Sequence, residues 1–379
     1  MARRLPIDYA VLNLARRPLR TGLTAGSSAL VAALLVATAA FVGGLSTTFA
    51  AAARDDTAIL VSRVAERDVV RSTVVTGLDR IVEANVPGVV LASSEIHMGT
   101  AVVLADGATY PAFARGVTEA AYRAHDAVTV VEGRLPGPGE VMVGRLAASQ
   151  MGADEELLAV GGTLSVEGAE HAIVGRFAAP GTTIEAEIWT PLGPLRGLAQ
   201  RDDDSAVFVR MESTDLARLE LFAARRLDLE LEVIPTRVYY GELVEYFAPI
   251  RASAWALAAL IALAAVFGGA NTLNAAVTDR AREIATLRAM GYPPAAIVRS
   301  LTVESLLVAC AGGVVGLVLA RLVLAGAAVR IAMSAFALRV DPTAVLVGIA
   351  GSFLLGLLGA GPAVWRVLRM PVVEGLKEA

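Results

Sequence analysis

Leu23 to Leu45 is almost wholly apolar or small, and no charge falls between Thr21 and Ala53. At 1.5 Å per residue such a helix crosses a hydrocarbon core of about 30 Å. The run is longer than the apolar core of a cleavable signal peptide, about 7–15 residues, and it follows a twenty-residue head, so it reads as an uncleaved anchor. Three more runs have this character: Ala252 to about Asn274, Ser300 to Leu324, and Pro342 to Trp365. Leu322–Val340 is apolar as well, but Arg330 stands at its middle, where a charge costs about 2.5–3.5 kcal/mol on insertion scales. It reads as an interfacial or re-entrant piece.

Between the first two apolar runs the pattern changes. Short β-rich stretches recur at Ala58–Val64, Gly88–Leu91, Ala101–Leu104, Ala127–Val131, Val141–Val143, Thr163–Val166, Ala172–Val174, Ile184–Trp189 and Ala206–Val209. Turn signals such as Asp106-Gly107 and Gly161-Gly162 separate them. Helical patterns occupy Arg67–Asn85, Gly144–Met151 and Thr214–Arg226. The expected fold is an integral membrane α-helical protein with four transmembrane helices and a large α+β extracytoplasmic domain inserted between helices 1 and 2. Its parts are an amphipathic N-terminal helix (1–20), TM1 (21–50), the α+β domain (51–251), TM2 (252–278), a cytoplasmic helix (279–299), TM3 (300–325), an outer interfacial segment (326–341), TM4 (342–365) and a cytoplasmic tail (366–379).

Composition agrees and adds an orientation. The 379 residues are 55% hydrophobic, above the usual range for soluble domains. The net charge of −4 conceals an asymmetry: Arg54–Arg251 carries 30 acidic and 18 basic residues, and the remainder 7 and 15. Arginines gather before the first span, between the second and third, and after the fourth. With four spans these clusters share one face, which the positive-inside rule makes cytoplasmic. The acidic domain then lies outside, and its sign argues against a nucleic-acid partner. Arg330 and Arg339 on the outer face weaken the asymmetry slightly.

Candidate chemistry is sparse. Cys310 is the only cysteine, so no intrachain disulfide forms, and its apolar surroundings suggest an inert buried thiol. His97, His125 and His171 lack metal-ligand spacing, and neither a G-x-S-x-G elbow nor a Walker A loop is present. The most informative stretch is Asn271–Glu304, an amphipathic charged segment where a short turn would suffice. Thr278 and Asp279 are N-cap candidates. Ile284, Leu287 and Met290 line one helical face, Gly291 suits a C-terminal cap, and Pro293-Pro294 begin a new helix. A solvated helix on lipid headgroups is the plain reading; a coupling helix held in a groove of a cytoplasmic protein is the sharper one.

Here the residues resemble the FtsX/MacB-type permeases of ATP-binding cassette (ABC) systems. Asn271, Thr272, Arg280, Arg282, Glu283, Ile284, Leu287, Arg288, Ala289 and Gly291 match that family's stretch after the second span, and Glu304 its third-span glutamate. Asn13–Thr21 is similar to the family's N-terminal helix, and Thr129–Val143 resembles part of the MacB-type periplasmic domain. The resemblance implies a non-catalytic permease subunit that couples ATP hydrolysis on a separate chain to motion of its outer domain, driving export of a lipid, lipoprotein, peptide or drug. It implies as partners an ABC ATP-binding subunit of the LolD/MacB-like class, a second permease copy or paralogue, and a membrane-fusion or envelope protein. ATP and Mg would sit on the ATPase, with no cofactor and no metal on this chain. The implied coupling residues are Asp279, Arg280, Arg282, Glu283, Ile284, Leu287, Arg288, Met290 and Gly291, with Glu304 at the start of the third span. The alternative is a relay of the cell-division FtsX type that activates a cell-wall hydrolase. Gly22-xxx-Gly26 and Gly312-xxx-Gly316 are candidate helix-packing positions, allowing close helix contact within the chain or between copies.

Overall fold

The computed structural model describes Leu14, residues 18–331 and residues 334–369. Most of the expected N-terminal helix (1–20) and the last ten residues of the tail lie outside the described residues. Among the described residues, four helices are long and apolar enough to cross a membrane: Thr21–Ala52, Ala248–Asp279, Pro294–Leu324 and Pro342–Arg369. The chain divides into two compact units. A helical unit holds residues up to Gly43, Pro249–Ala325 and Arg339 onward; a mixed unit holds Gly44–Ala248 and Gly326–Leu338.

The helical unit packs through small residues. A Cβ added at Gly312 would lie 2.4 Å from the Ala25 carbonyl oxygen, and one at Gly316 would lie 2.2 Å from that of Ala29. At Gly356 a Cβ would lie 2.9 Å from that of Ala309 and 3.1 Å from the Leu306 Cα, and Ser305 Oγ donates to the Gly356 carbonyl at 2.7 Å. Such approaches let helices gain dispersion and hydrogen bonds where lipid removes any hydrophobic drive. The fourth long helix opens on Asp341, whose carboxylate accepts from Ala344 N at 2.7 Å, and changes course at Ala360. Cys310 is exposed on its helix and not buried as its apolar run suggests.

The mixed unit is built on one ten-stranded sheet. In chain order the strands are β1 (Thr57–Ser62), β2 (Val89–Val103), β3 (Thr109–Val117), β4 (Thr129–Gly133), β5 (Glu140–Gly144), β6 (Thr163–Val166), β7 (Ala169–Ala178), β8 (Ile188–Pro191), β9 (Ala206–Met211) and β10 (Leu231–Pro235). Their spatial order is β10-β1-β9-β2-β3-β8-β5-β7-β4, with β6 against β2 and β7. The long β2/β3 hairpin links two apolar clusters, one around Leu60, Leu78 and Val209, the other around Val143, Leu164 and Ile173. The two expected stretches Gly88–Leu91 and Ala101–Leu104 are the ends of β2, and the expected helix Arg67–Asn85 is shortened to Leu78–Asn85.

Two further expectations are corrected. Most of the segment 326–341, expected as an interfacial or re-entrant piece, belongs to the mixed unit. It contains a hairpin, β11 (Ala328–Ile331) with β12 (Ser334–Ala337), packed in the mixed unit. Arg330 is exposed there and donates from Nη1 to the Gln150 carbonyl at 3.0 Å. Thr278 and Asp279 do not cap a new helix: the second long helix continues through Asp279, and the cap position is Arg280, without a side-chain cap bond. Thr278 instead returns its hydroxyl to the Asn274 carbonyl, the back-bonding that lets a hydroxyl residue sit inside a helix.

Candidate functional site

The stretch between the second and third long helices forms a short helix, Ala281–Ala289, closed by Gly291 at φ +89°, a left-handed cap that glycine adopts without strain. Pro294 then opens the third long helix at its first turn. The apolar face is turned inward. Ile284 is buried in a cluster with Leu273, Val277, Ile297 and Leu301, and Leu287 packs at its border. Arg280 reaches across to the third helix, where its Nη1 donates to Glu304 Oε2 at 3.2 Å with both side chains about nine-tenths buried.

The segment's candidate residues therefore separate. Arg280, Ile284, Leu287 and Glu304 fasten the short helix to its own helical unit. Asp279, Arg282, Glu283, Met290 and Gly291 are exposed, and Arg288 is half-buried. The exposed set presents both charge signs beside an exposed Met290. The glycine candidates separate too: Gly312 and Gly316 lie against the first helix, while Gly22 and Gly26 have open space where a Cβ would stand.

Reasoning from the sequence missed a second constellation, in the mixed unit. Glu95 and His97 alternate on β2 and so face one side of the sheet. Register then places Arg115 of β3 opposite His97, and Trp189 of β8 opposite Arg115. The Arg115 guanidinium grips Glu187 with two hydrogen bonds of 2.6 Å and donates to Glu95 Oε2, also at 2.6 Å. Trp189 Nε1 donates to Glu187 Oε2 at 2.8 Å. His97 Nε2 and His125 Nε2 stand 3.2 and 2.7 Å from the two oxygens of Glu95. Burial pushes the Glu95 carboxyl up, but His125 and Arg115 outweigh it and hold it well below the usual carboxylate range. Burial, aided by Arg115, lowers the His97 pKa and keeps that ring neutral. The period-two spacing of Glu95 and His97 was the one visible signal; their partners lie 20 to 92 residues away and only pairing shows them.

Two imidazoles around a carboxylate resemble a metal triad, but Arg115 occupies Glu95, and among the described residues no group is arranged to hold a metal ion.

Comparison with known proteins places this geometry. The model of the FtsX-like permease C-terminal domain matches residues 255–372, and that of the MacB-like periplasmic core domain matches residues 21–221. The chain belongs to the FtsX/MacB-type permease family. It is a multi-pass membrane protein of the ABC-transporter permease kind, and permeases of this kind work with ABC ATPase partners.

Solved structures similar to this chain include the periplasmic region of MacB from Actinobacillus actinomycetemcomitans (10% identity, TM-score 0.40, covering 50% of this chain and 92% of that one). A permease-protein domain from Porphyromonas gingivalis is similar at 23% identity and TM-score 0.34, covering 48% and 90%. The extracellular domain of the ABC-type transporter YknZ from Gram-positive bacteria is similar at 14% identity and TM-score 0.38, covering 47% and 99%. Among curated proteins none matches this chain.

Proposed function

We propose that this FtsX/MacB-type permease couples ATP hydrolysis on a separate cytoplasmic ATPase to movement of its mixed unit, driving export or extraction of a lipid, lipoprotein, peptide or drug across the envelope. The arginine clusters support a cytoplasmic side for the termini and the short helix 281–289 and an outer side for the acidic unit. The chain acts as a mechanical transmitter and catalyses nothing itself.

The observation that carries this reading is the division of labour within the short helix. Its inner face is anchored by Ile284 and by the buried Arg280–Glu304 pair, so a push on it reaches the third helix directly. Its outer face, with Arg282, Glu283 and Met290, is accessible to a partner. A second feature extends the path. The chain passes between its two units four times, because the hairpin between the third and fourth helices belongs to the mixed unit. Force on those helices therefore reaches the sheet through Arg330 and Gln150 as well as through the ends of the domain.

A second copy of the permease fits the second long helix. Leu260 is 64% and Phe267 67% exposed within the chain, and the helix touches its own bundle mainly at its end, around Leu273 and Val277.

The test is ATPase coupling in the reconstituted complex. Glu283→Ala and Arg282→Ala should lower the permease-stimulated ATPase rate several-fold while membrane insertion and thermal stability stay at wild-type levels. Full stimulation in both variants overturns the assignment.

A further inference from the structure

A cavity of about 380 Å³ lies inside the mixed unit, within the size range of small-molecule sites. Folded interiors leave few voids larger than a water molecule, so a space of this size stands apart from ordinary packing. Its lining has two characters. Arg67, Asp68 and Val70 are exposed and mark a polar mouth. Leu45, Phe49, Val69, Phe208, Tyr240 and Phe336 are buried and make the inside largely apolar.

The charged groups of the lining are taken up by one another or by close neighbours. Arg67 pairs with Glu232 and Glu242, Asp68 with Arg71, and Arg115 with Glu95 and Glu187. Within the lining itself, Arg67 and Arg115 balance Asp68 and Glu187. The rings are engaged with each other as well. Phe49 stacks on Phe247 at 5.7 Å, and Tyr239 meets Tyr240 edge-on at 5.2 Å. Phe113 and Phe208 lie 5.9 and 6.1 Å from the His97 ring. Thr48 returns its hydroxyl to the Gly44 carbonyl of its own helix at 2.7 Å. The lining thus offers an occupant mainly non-directional contact. A saturated hydrocarbon chain is satisfied by that, whereas a charged group would lose its water without gaining a free counter-charge.

Chain continuity indicates where such a hydrocarbon comes from. Leu45, Thr48 and Phe49 lie near the end of the first long helix, which is apolar enough to span a membrane. Phe247 directly precedes the second long helix, which begins at Ala248. Two of the lining segments therefore run straight into spans, whose surrounding solvent is acyl chain.

We propose that this cavity holds one acyl chain of a membrane phospholipid, with the head group left at the mouth beside Arg67 and Asp68. The chain lies among the buried rings and gains dispersion contacts that an empty cavity forgoes. The occupant is a lipid of the surrounding bilayer, so the site does not depend on the coupling reading.

The experiment uses the full chain in phosphatidylcholine nanodiscs at pH 7, without ATPase or nucleotide. Two photoreactive phosphatidylcholines are compared, one with a diazirine at the end of an acyl chain and one with it on the head group. Peptide mass spectrometry after irradiation locates the adducts. The acyl-end lipid should label Phe113, Phe208 or Tyr240, and this labelling should saturate as its fraction in the bilayer rises. The head-group lipid should label those residues at least tenfold less and mark the stretch 67–70 instead. Leu243→Trp adds bulk to the lining and Val70→Trp adds it at the mouth. Each should lower the interior labelling at least fivefold, with a circular-dichroism melt at the wild-type midpoint. Adducts at Leu260 and Phe267, exposed on the second long helix, report bulk lipid and should not change. Adducts confined to the long helices, interior labelling that never saturates, equal interior labelling by the two lipids, or undiminished labelling in either variant overturns the proposal. None of these outcomes bears on ATPase stimulation, which is measured separately.

Discussion

The two units solve the packing problem with opposite materials. The helical unit brings backbones together: at Gly312 and Gly316 there is no room for even a methyl group beside Ala25 and Ala29. The mixed unit fills its interior with large side chains, Trp189, Phe177 and Ile96 among them, and threads an ion network through it. In lipid, burying apolar surface gains little, so contact must come from close approach. In water, each large apolar side chain removed from solvent contributes about 1.5–3 kcal/mol. The difference shows that hydrophobic content alone says little about how a segment is held together.

The largest expected effect breaks the mixed unit at its polar centre. Arg115→Ala leaves Glu95 and Glu187 buried without their guanidinium, a change that costs about 3–5 kcal/mol in comparable buried pairs. A background with Trp255→Phe and Trp365→Phe leaves Trp189, which touches this network, as the sole indole reporter. The Trp189 melt should shift far downward. An unchanged melt shows that the network is not a stabilising element.

A smaller effect breaks the other unit. Gly316→Val places methyl groups against the Ala29 backbone and should cost about 1–3 kcal/mol by overpacking, occasionally more. Proteolysis of the helical unit should accelerate while the Trp189 melt keeps its wild-type midpoint. Gly26→Ala, at an open position, is the control and should leave both readouts unchanged. Equal sensitivity at Gly26 and Gly316 contradicts the asymmetry.

The smallest effect separates the units by pH. The folded pKa of His97 is depressed, so between that value and about 6.5 the unfolded chain binds the proton and the folded chain does not. The contribution is fully present above pH 6.5 and is lost as pH falls below it. Glu95, also depressed, adds a second loss once pH drops below about 4.3, its unfolded value. The Trp189 melting temperature should fall between pH 7 and pH 5.5 and fall further below pH 4.3. His97→Phe should remove the first step and leave the second. A melting temperature that rises on acidification contradicts the assigned neutral His97.

Much of the plan was legible in the chain. A span needs about twenty apolar residues, and that demand is local, so all four long helices could be read directly, together with the Gly291 cap and the Pro294 start. The α+β character of the mixed unit followed from alternation and turn signals. The errors fell where a distant partner intervened. Arg330 read as a charge inside an apolar run, but it stands exposed on a hairpin of the mixed unit and bonds the Gln150 carbonyl. The helical pattern from Arg67 yielded to irregular backbone, pinned by Ser72 Oγ, which accepts from Ser62 N, and by the bridge between Val74 and Asp204.

The candidate site divided in the same manner. The residues of the short helix 281–289 could be named from the sequence, because periodicity and caps are properties of neighbouring residues. Which of them face inward was decided by the pairing of Arg280 with Glu304, 24 positions away. The meeting of Glu95, His97, Arg115, His125 and Glu187 depended entirely on sheet register and strand order. Sequence by itself determined the four long apolar helices and the charge asymmetry, since these depend on the free energy of short segments in water or lipid. Only the tertiary structure decided which charges are buried together and which cavity they line, because a buried charge is stable only beside a partner that long-range pairing supplies.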